Sequence, residues 1–269
     1  MNGPKVGEKA RLDVLLTERG LFESRSKASA AVIAGEVLIG IGRERASKPG
    51  QMVGIDQTLF VEEARRFVSR GGIKLDNALD QLEMDVTGLS CLDVGASTGG
   101  FTDCLLQRGA ERVIALDVAY GELAWALRQD PRVEVVERTN ARHMEAGQLA
   151  WSPTLVVCDL SFIGVGKVFS AIKAVIEPGA EVLALVKPQF EVGKERLGSG
   201  GVVRDPELRR EALVGAGKTA LEVGFNVEAY VSSGLPGPKG NEESFIHLKL
   251  SPPTVTATDL EQLARRAEP

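Results

Sequence analysis

Leu92-Asp93-Val94-Gly95-Ala96-Ser97-Thr98-Gly99-Gly100-Phe101 is the stretch on which the fold turns. An apolar run, Cys91–Gly95, leads into it, and a helical pattern, Phe101–Arg108, leads out. A glycine-rich turn between strand and helix is where open α/β sheets bind ligands, beyond the carboxyl ends of their strands. Further apolar runs of strand length fall at Val113–Val118, Val133–Val136, Leu155–Cys158 and Val182–Val186, with helical patterns at Leu123–Arg128 and Val165–Ile176 between some of them. Uninterrupted apolar strands alternating with helices predict an α/β fold, a doubly wound and mostly parallel sheet covered on both faces. Asp205-Pro206 offers a cap and a first-turn proline for another helix, which Gly224 ends. Val227–Val231 and Phe245–Leu250 have no helix between them and are expected as an antiparallel hairpin at the sheet edge, for about seven strands in all.

Upstream lies a smaller α/β unit. Leu12, Leu15 and Leu16 repeat at helical spacing before Gly20, and Ser24 and Gly35 bracket a second helix. Glu36–Ile39 reads as a short strand, a turn follows through Gly40 and Gly42, and short extended runs reach Glu63. The division expected is 1–63 for this unit, 64–72 for a linker, 73–252 for the sheet domain and 253–269 for a C-terminal tail or helix.

Composition narrows the function classes. Hydrophobic residues at 43% and charged residues at 26% are the balance of a soluble globular protein. No apolar run approaches the ~18 residues of a membrane span, and the charged stretch Met1–Asp13 does not read as a secretory signal. Cys91, Cys104 and Cys158 form no CxxC pair, and His143 and His247 are the only histidines. A reduced, cytoplasmic protein without a metal site is therefore expected. The net charge of −5 hides an asymmetry: residues 1–73 carry +3 and the remainder −8. Such asymmetry can mark a binding module attached to a catalytic one.

The glycine loop admits three readings. As a dinucleotide fingerprint it has Ser97 where the second glycine of GxGxxG belongs. As a GxSxG nucleophile elbow it matches literally, but it then needs a late histidine, and His247 lies in an alternating strand on the face of Lys249. As a nucleoside cradle of the methyltransferase kind, Asp93 fixes the loop, the glycines admit the ligand, and Asp117 accepts two ribose hydroxyls. An acid at Asp117 also suits a nicotinamide dinucleotide, so the loop alone leaves the choice open.

Four residues outside the loop add to it. Lys74, Asp159, Lys187 and Glu243, in that order, resemble the tetrad of RNA 2′-O-ribose methyltransferases related to FtsJ. Val68-Ser69-Arg70-Gly71-Gly72-Ile73-Lys74, Asp93–Thr102, Asp159-Leu160-Ser161-Phe162, Val186-Lys187-Pro188-Gln189-Phe190-Glu191-Val192-Gly193 and Leu235-Pro236-Gly237-Pro238 look like the TlyA family. Its members carry the name haemolysin and act as rRNA 2′-O-methyltransferases. The resemblance implies S-adenosyl-L-methionine as cofactor, held by Asp93, Gly95, Ser97, Gly99, Gly100, Phe101, Asp117 and Asn140. It implies Lys74, Asp159, Lys187 and Glu243 as the catalytic set, with rRNA and ribosomal subunits as partners and no stable membrane association.

The same resemblance extends to an N-terminal RNA-binding domain like that of a small-subunit ribosomal protein, matched by Arg11-Leu12-Asp13, Ser24–Ala28 and Gly35–Ile39. It puts RNA contacts on Arg11, Arg25, Lys27 and Arg43, with the linker cations Arg65 and Arg66. Arg25 and Lys27 also stand out physically, because cations in a helix's first turn oppose the macrodipole and make a phosphate site. The turn Gly40-Ile41-Gly42-Arg43 lacks the family's usual Asn-Gly. The competing classes are a haemolysin or pore-forming protein and a serine hydrolase built on Ser97.

Overall fold

The computed structural model describes residues 8–33, 35–61 and 66–268. The chain divides into two compact units, Met1–Arg65 and Arg66–Pro269.

In the first unit β1 (Lys9–Arg11) runs directly into α1 (Leu12–Glu18), followed by α2 (Arg25–Ile33), β2 (Val37–Ile39), β3 (Glu44–Arg45), β4 (Met52–Gly54) and β5 (Leu59–Val61). β1 pairs antiparallel with β4, and β2 lies between β3 and β5. Leu12, Leu15 and Leu16 are buried against Ala28, Ala31 and Val32, as their spacing predicts. Ser24 caps α2 by accepting from Lys27 N at 3.3 Å, and Gly35 follows it at φ +75°. Inside this small core Asp13 is buried, and the Arg11 and Arg25 guanidinium groups hold its carboxyl well below the usual carboxylate range.

The second unit contains α3 (Arg70–Gln81), β6 (Ser90–Val94), α4 (Gly100–Gln107), β7 (Arg112–Leu116), α5 (Trp125–Arg128), β8 (Val133–Val136) and β9 (Leu155–Cys158). There follow α6 (Phe169–Val175), β10 (Glu181–Val186), α7 (Pro188–Glu191), α8 (Pro206–Val223), β11 (Asn226–Ser232), β12 (Ser244–Lys249) and α9 (Ala257–Ala267). The seven-stranded sheet has the order β11-β12-β10-β9-β6-β7-β8. The chain moves outward from β6 to β8, then returns to β9 on the other side. The crevice at the carboxyl ends of β6 and β9 is therefore the switch point of the sheet.

Alternate strand residues feed two cores. Leu92, Val94, Val156 and Val182 pack with Phe169, Ile172, Leu213 and Phe225 on one face. Cys91, Val113, Val157 and Leu183 pack with Leu75, Leu79, Phe101 and Leu105 on the other. Each such fully buried aliphatic side chain contributes roughly 1.5–3 kcal/mol relative to exposure.

Three expectations are refined. The reversed strand is β12, which lies one place in from the edge, because the chain builds β11 outside and returns between β11 and β10. In the C-terminal stretch, expected as a tail or helix, α9 starts with a capping box at Thr256 and Asp259 and buries Leu260 and Ala264 in the main core. The linker expected over 64–72 contains the start of α3, capped by Ser69, whose Oγ accepts from Gly71 N at 3.3 Å. Two adjacent glycines stand in its first turn, and a Cβ on Gly72 would lie 2.4 Å from the Phe67 ring and 2.8 Å from Gly100 O. Close packing of α3 on α4 explains a glycine there.

Candidate active site

The loop that follows β6 is built by backbone conformation and one buried acid. Gly95 has φ +85°, and a Cβ there would stand 2.5 Å from Asp159 O. Asp93 is fully buried, and its Oδ2 accepts from Thr102 N at 2.9 Å and from Thr102 Oγ1 at 2.7 Å. The loop is thereby stapled to the first turn of α4. Burial, reinforced by Asp159 and Asp117 and opposed by Thr102, pushes the Asp93 carboxyl up to about 7.

That shift fixes a pH dependence. The folded chain holds the Asp93 proton more tightly than the unfolded chain, so its stabilising contribution is complete below pH 3.8 and is lost as pH rises through about 7. Unfolding measured from pH 4 to 8 is expected to show wild type losing stability relative to Asp93→Asn. A pH-independent difference between the two would contradict this assignment.

Asp117, just past β7, engages the same loop. Its Oδ2 accepts from Ser97 N at 2.8 Å and its Oδ1 from Ala119 N at 2.7 Å, while Ser97 Oγ donates to Glu122 Oε2 at 3.1 Å. Ser97, Asp117, Glu122 and Glu137 line a small cleft together with Ala96 and Leu123, and no cation is among its described lining residues. Arg128 pairs with Glu137 from outside. An acidic cleft repels the pyrophosphate of a dinucleotide and suits the hydroxyl donors of a single ribose. A carboxylate has about four acceptor sites, so two backbone bonds leave Asp117 room for those hydroxyls. Asp117→Ala is expected to weaken S-adenosylmethionine binding by about 1.5–3 kcal/mol, and Ser97→Ala to cost little activity. Wild-type affinity of Asp117→Ala in calorimetry would remove it from the site.

The Phe101 ring, at the helix end of the loop, is buried and packs on Phe245 with centroids 5.8 Å apart. It lies on the inward face of α4. Gly99 at φ +93° precedes the helix and Gly100 begins it. Asn140 caps a short turn, its Oδ1 accepting from Arg142 N at 3.0 Å. The hydrolase reading also fails. His247 pairs with Glu181 opposite Leu183, toward the amino-terminal end of β10, whereas Ser97 lies beyond the carboxyl end of β6.

The tetrad positions form two ion pairs. Lys74 of α3 pairs with Glu243, both buried, and Lys187 pairs with Asp159. The strand register explains the grouping. Cys158 pairs with Val94 and Ala184, and Val186 pairs with Ser244, which brings Asp159, Lys187 and Glu243 to the same sheet end. Lys187 Nζ also approaches Ser161 Oγ at 3.5 Å. Phe162, quoted in the Asp159–Phe162 motif but given no role there, is 87% exposed at φ +72° and stacks at a tilt on Phe190, centroids 5.7 Å apart. Its signal is an aromatic residue placed three positions after Asp159, where the strand has already ended.

The cations expected to meet RNA are mostly engaged. Arg11 and Arg25 converge on Asp13, Lys27 pairs with Glu23, and Arg43 lies over the Phe60 ring at 4.7 Å. Arg25 and Lys27 are thus not the bare helix-start cations expected, although their side chains remain 58% and 63% exposed. Arg66, in the second unit, pairs with Asp76 and lies over Phe67. Arg65 lies outside the described residues.

Comparison with known proteins follows the same lines. The profile of the FtsJ-like methyltransferase family matches residues 67–250. A 16S/23S rRNA (cytidine-2′-O)-methyltransferase TlyA of Mycobacterium tuberculosis is 44% identical over 266 residues, 97% of this chain and 98% of that one. Hemolysin A of Brachyspira hyodysenteriae is 37% identical over 88% of this chain and 98% of its own. A solved structure from Streptococcus thermophilus with a provisional hemolysin name superposes with a TM-score of 0.72 at 38% identity, covering 96% and 95% of the two chains.

Proposed function

The chain belongs to the FtsJ-like methyltransferase family, and from that premise we propose that it methylates ribose 2′-hydroxyls of ribosomal RNA, with cytidines of the 16S and 23S molecules as targets. Bound S-adenosylmethionine supplies an electrophilic methyl group. The observation that carries the reading is the pair of lysine–carboxylate contacts, Lys187 with Asp159 and Lys74 with Glu243, gathered beside the glycine loop.

Lys187 steers the 2′-hydroxyl and, once it has released its own proton to solvent, takes the hydroxyl's proton as the methyl is transferred, while Asp159 orients the lysine. Lys74 and Glu243, buried together, hold the wall behind them. Phe162 offers an exposed ring on which a base turned out of the RNA stacks. The first unit carries RNA affinity through its exposed cations, with ribosomal subunits as the partners. Among the described residues no helix is long and apolar enough to cross a membrane, so the haemolysin reading gains no support there.

The test is methylation of separated 16S and 23S rRNAs and intact subunits with labelled cofactor, followed by mapping of the modified position. Label on a ribose 2′-oxygen is the result expected. Label confined to bases, or to RNAs other than rRNA, would overturn the substrate assignment.

A further inference from the structure

The segments that follow β9 and β10 are laced together by more than the tetrad pair. Lys187 meets Asp159 and Ser161, and Phe190 packs on Phe162. A further tie comes from Glu191, the last residue of α7. Its Oε1 accepts from Val165 N at 2.7 Å. Its Oε2 lies so close under the backbone of Gly164 that a Cβ there would stand 2.6 Å away. The carboxylate is only partly exposed, and Val165 beyond it is buried.

Between the Asp159 and Val165 anchors lies Phe162, with a left-handed backbone that is unfavourable for a residue bearing a side chain. A strained conformation persists only where its surroundings over-determine it. Glu191 reaches the loop from the helix that begins right after Lys187, so it couples the loop to the segment that carries the reacting lysine.

We propose that Glu191 is a positioning residue for methyl transfer: its carboxylate ties residues 160–165 to α7 and so fixes Phe162 relative to Lys187. It touches neither cofactor nor RNA in this role. The inference rests on the placement of Lys187 and Phe162 at the reacting nucleotide.

The experiment compares Glu191→Ala, Glu191→Gln, Phe162→Ala and the Glu191→Ala/Phe162→Ala double variant in the full chain. Single-turnover rate, rRNA affinity, cofactor affinity and melting temperature are read for each. Glu191→Ala is expected to lose on the order of tenfold to 100-fold in rate, the scale of small misplacements in an active site, with cofactor affinity and melting temperature near wild type. Glu191→Gln keeps an acceptor for Val165 N and should recover most of the rate. The double variant should be little slower than Phe162→Ala alone, because both act through the same ring.

Wild-type turnover in Glu191→Ala overturns the inference without touching Lys187. A rate loss that tracks falling melting temperature or cofactor affinity reduces Glu191 to a structural part and overturns it as well. Additive losses in the double variant, or a silent Phe162→Ala, reject the route through Phe162. Should Lys187→Ala also be silent, the failure lies in the functional reading beneath.

Discussion

Replacing Lys187 with alanine is expected to slow single-turnover methylation by about 100-fold or more, the range for losing a general base, while cofactor and RNA affinities stay close to wild type. The expectation comes from where the side chain sits. Lys187 leaves the carboxyl end of β10, its Nζ paired with Asp159 and 3.5 Å from Ser161 Oγ, at the switch-point end of the sheet. In the role proposed for it, Lys187 would meet the reacting hydroxyl but little else of a large RNA, so its loss belongs in turnover rather than binding. Lys187→Arg should not rescue the rate, because a guanidinium remains protonated and cannot accept the proton. Saturating RNA and cofactor in a single-turnover assay separate this step from product release. Near wild-type turnover in Lys187→Ala would sink the assignment and move attention to Lys74. Full activity in Lys187→Arg would leave the residue an electrostatic role, with the hydroxyl activated mainly by alignment.

The second large effect concerns the first unit. Deleting residues 1–63 should leave cofactor binding nearly intact and abolish methylation of large rRNA. The cleft proposed for the cofactor, between the loop after β6 and Asp117, has its described lining residues in the second unit. The first unit has its own core around Leu12, Leu16 and Val37, and its surface carries Arg25 and Lys27. Phosphate contacts release counterions, so Arg25→Ala with Lys27→Ala should weaken rRNA binding and flatten its salt dependence. Their ion pairs with Asp13 and Glu23 make the expected change in slope smaller than two free cations would give. An unchanged slope would show that neither touches RNA. A truncated chain that still methylates full-length rRNA would place RNA recognition in the second unit.

The alternation of apolar strands with helices made the sheet readable, since a strand buried on both faces shows as an unbroken run such as Leu155–Cys158. The helix from Arg70 was hidden because Gly71 and Gly72 argue locally against a helix. What overrides them is contact with Phe67 and Gly100, which no local pattern reveals. The tetrad was legible as a set of positions, and strand register explains why Asp159, Lys187 and Glu243 gather at one end. Its division into Lys74–Glu243 and Lys187–Asp159 depends on how α3 crosses the sheet, and that is a tertiary fact. The Phe101 ring is a second tertiary fact: its place in the loop motif is plain in the sequence, but its burial against Phe245 follows from the phase of α4.

The bond between Lys74 and Glu243 joins positions 169 residues apart in the chain. Contacts of such separation form only after the intervening chain is available, and loop closure makes them late. Everything up to α8 can be synthesised while Lys74 still has no carboxylate to meet. A nascent chain halted at the end of β11 would own its glycine loop, Asp117, Asp159 and Lys187, yet lack Glu243, the acid that completes the buried pair. Because domains emerge from the ribosome amino-terminal end first, the buried pair would form only after nearly the whole sheet has been made, when the returning strand slides in beside β10.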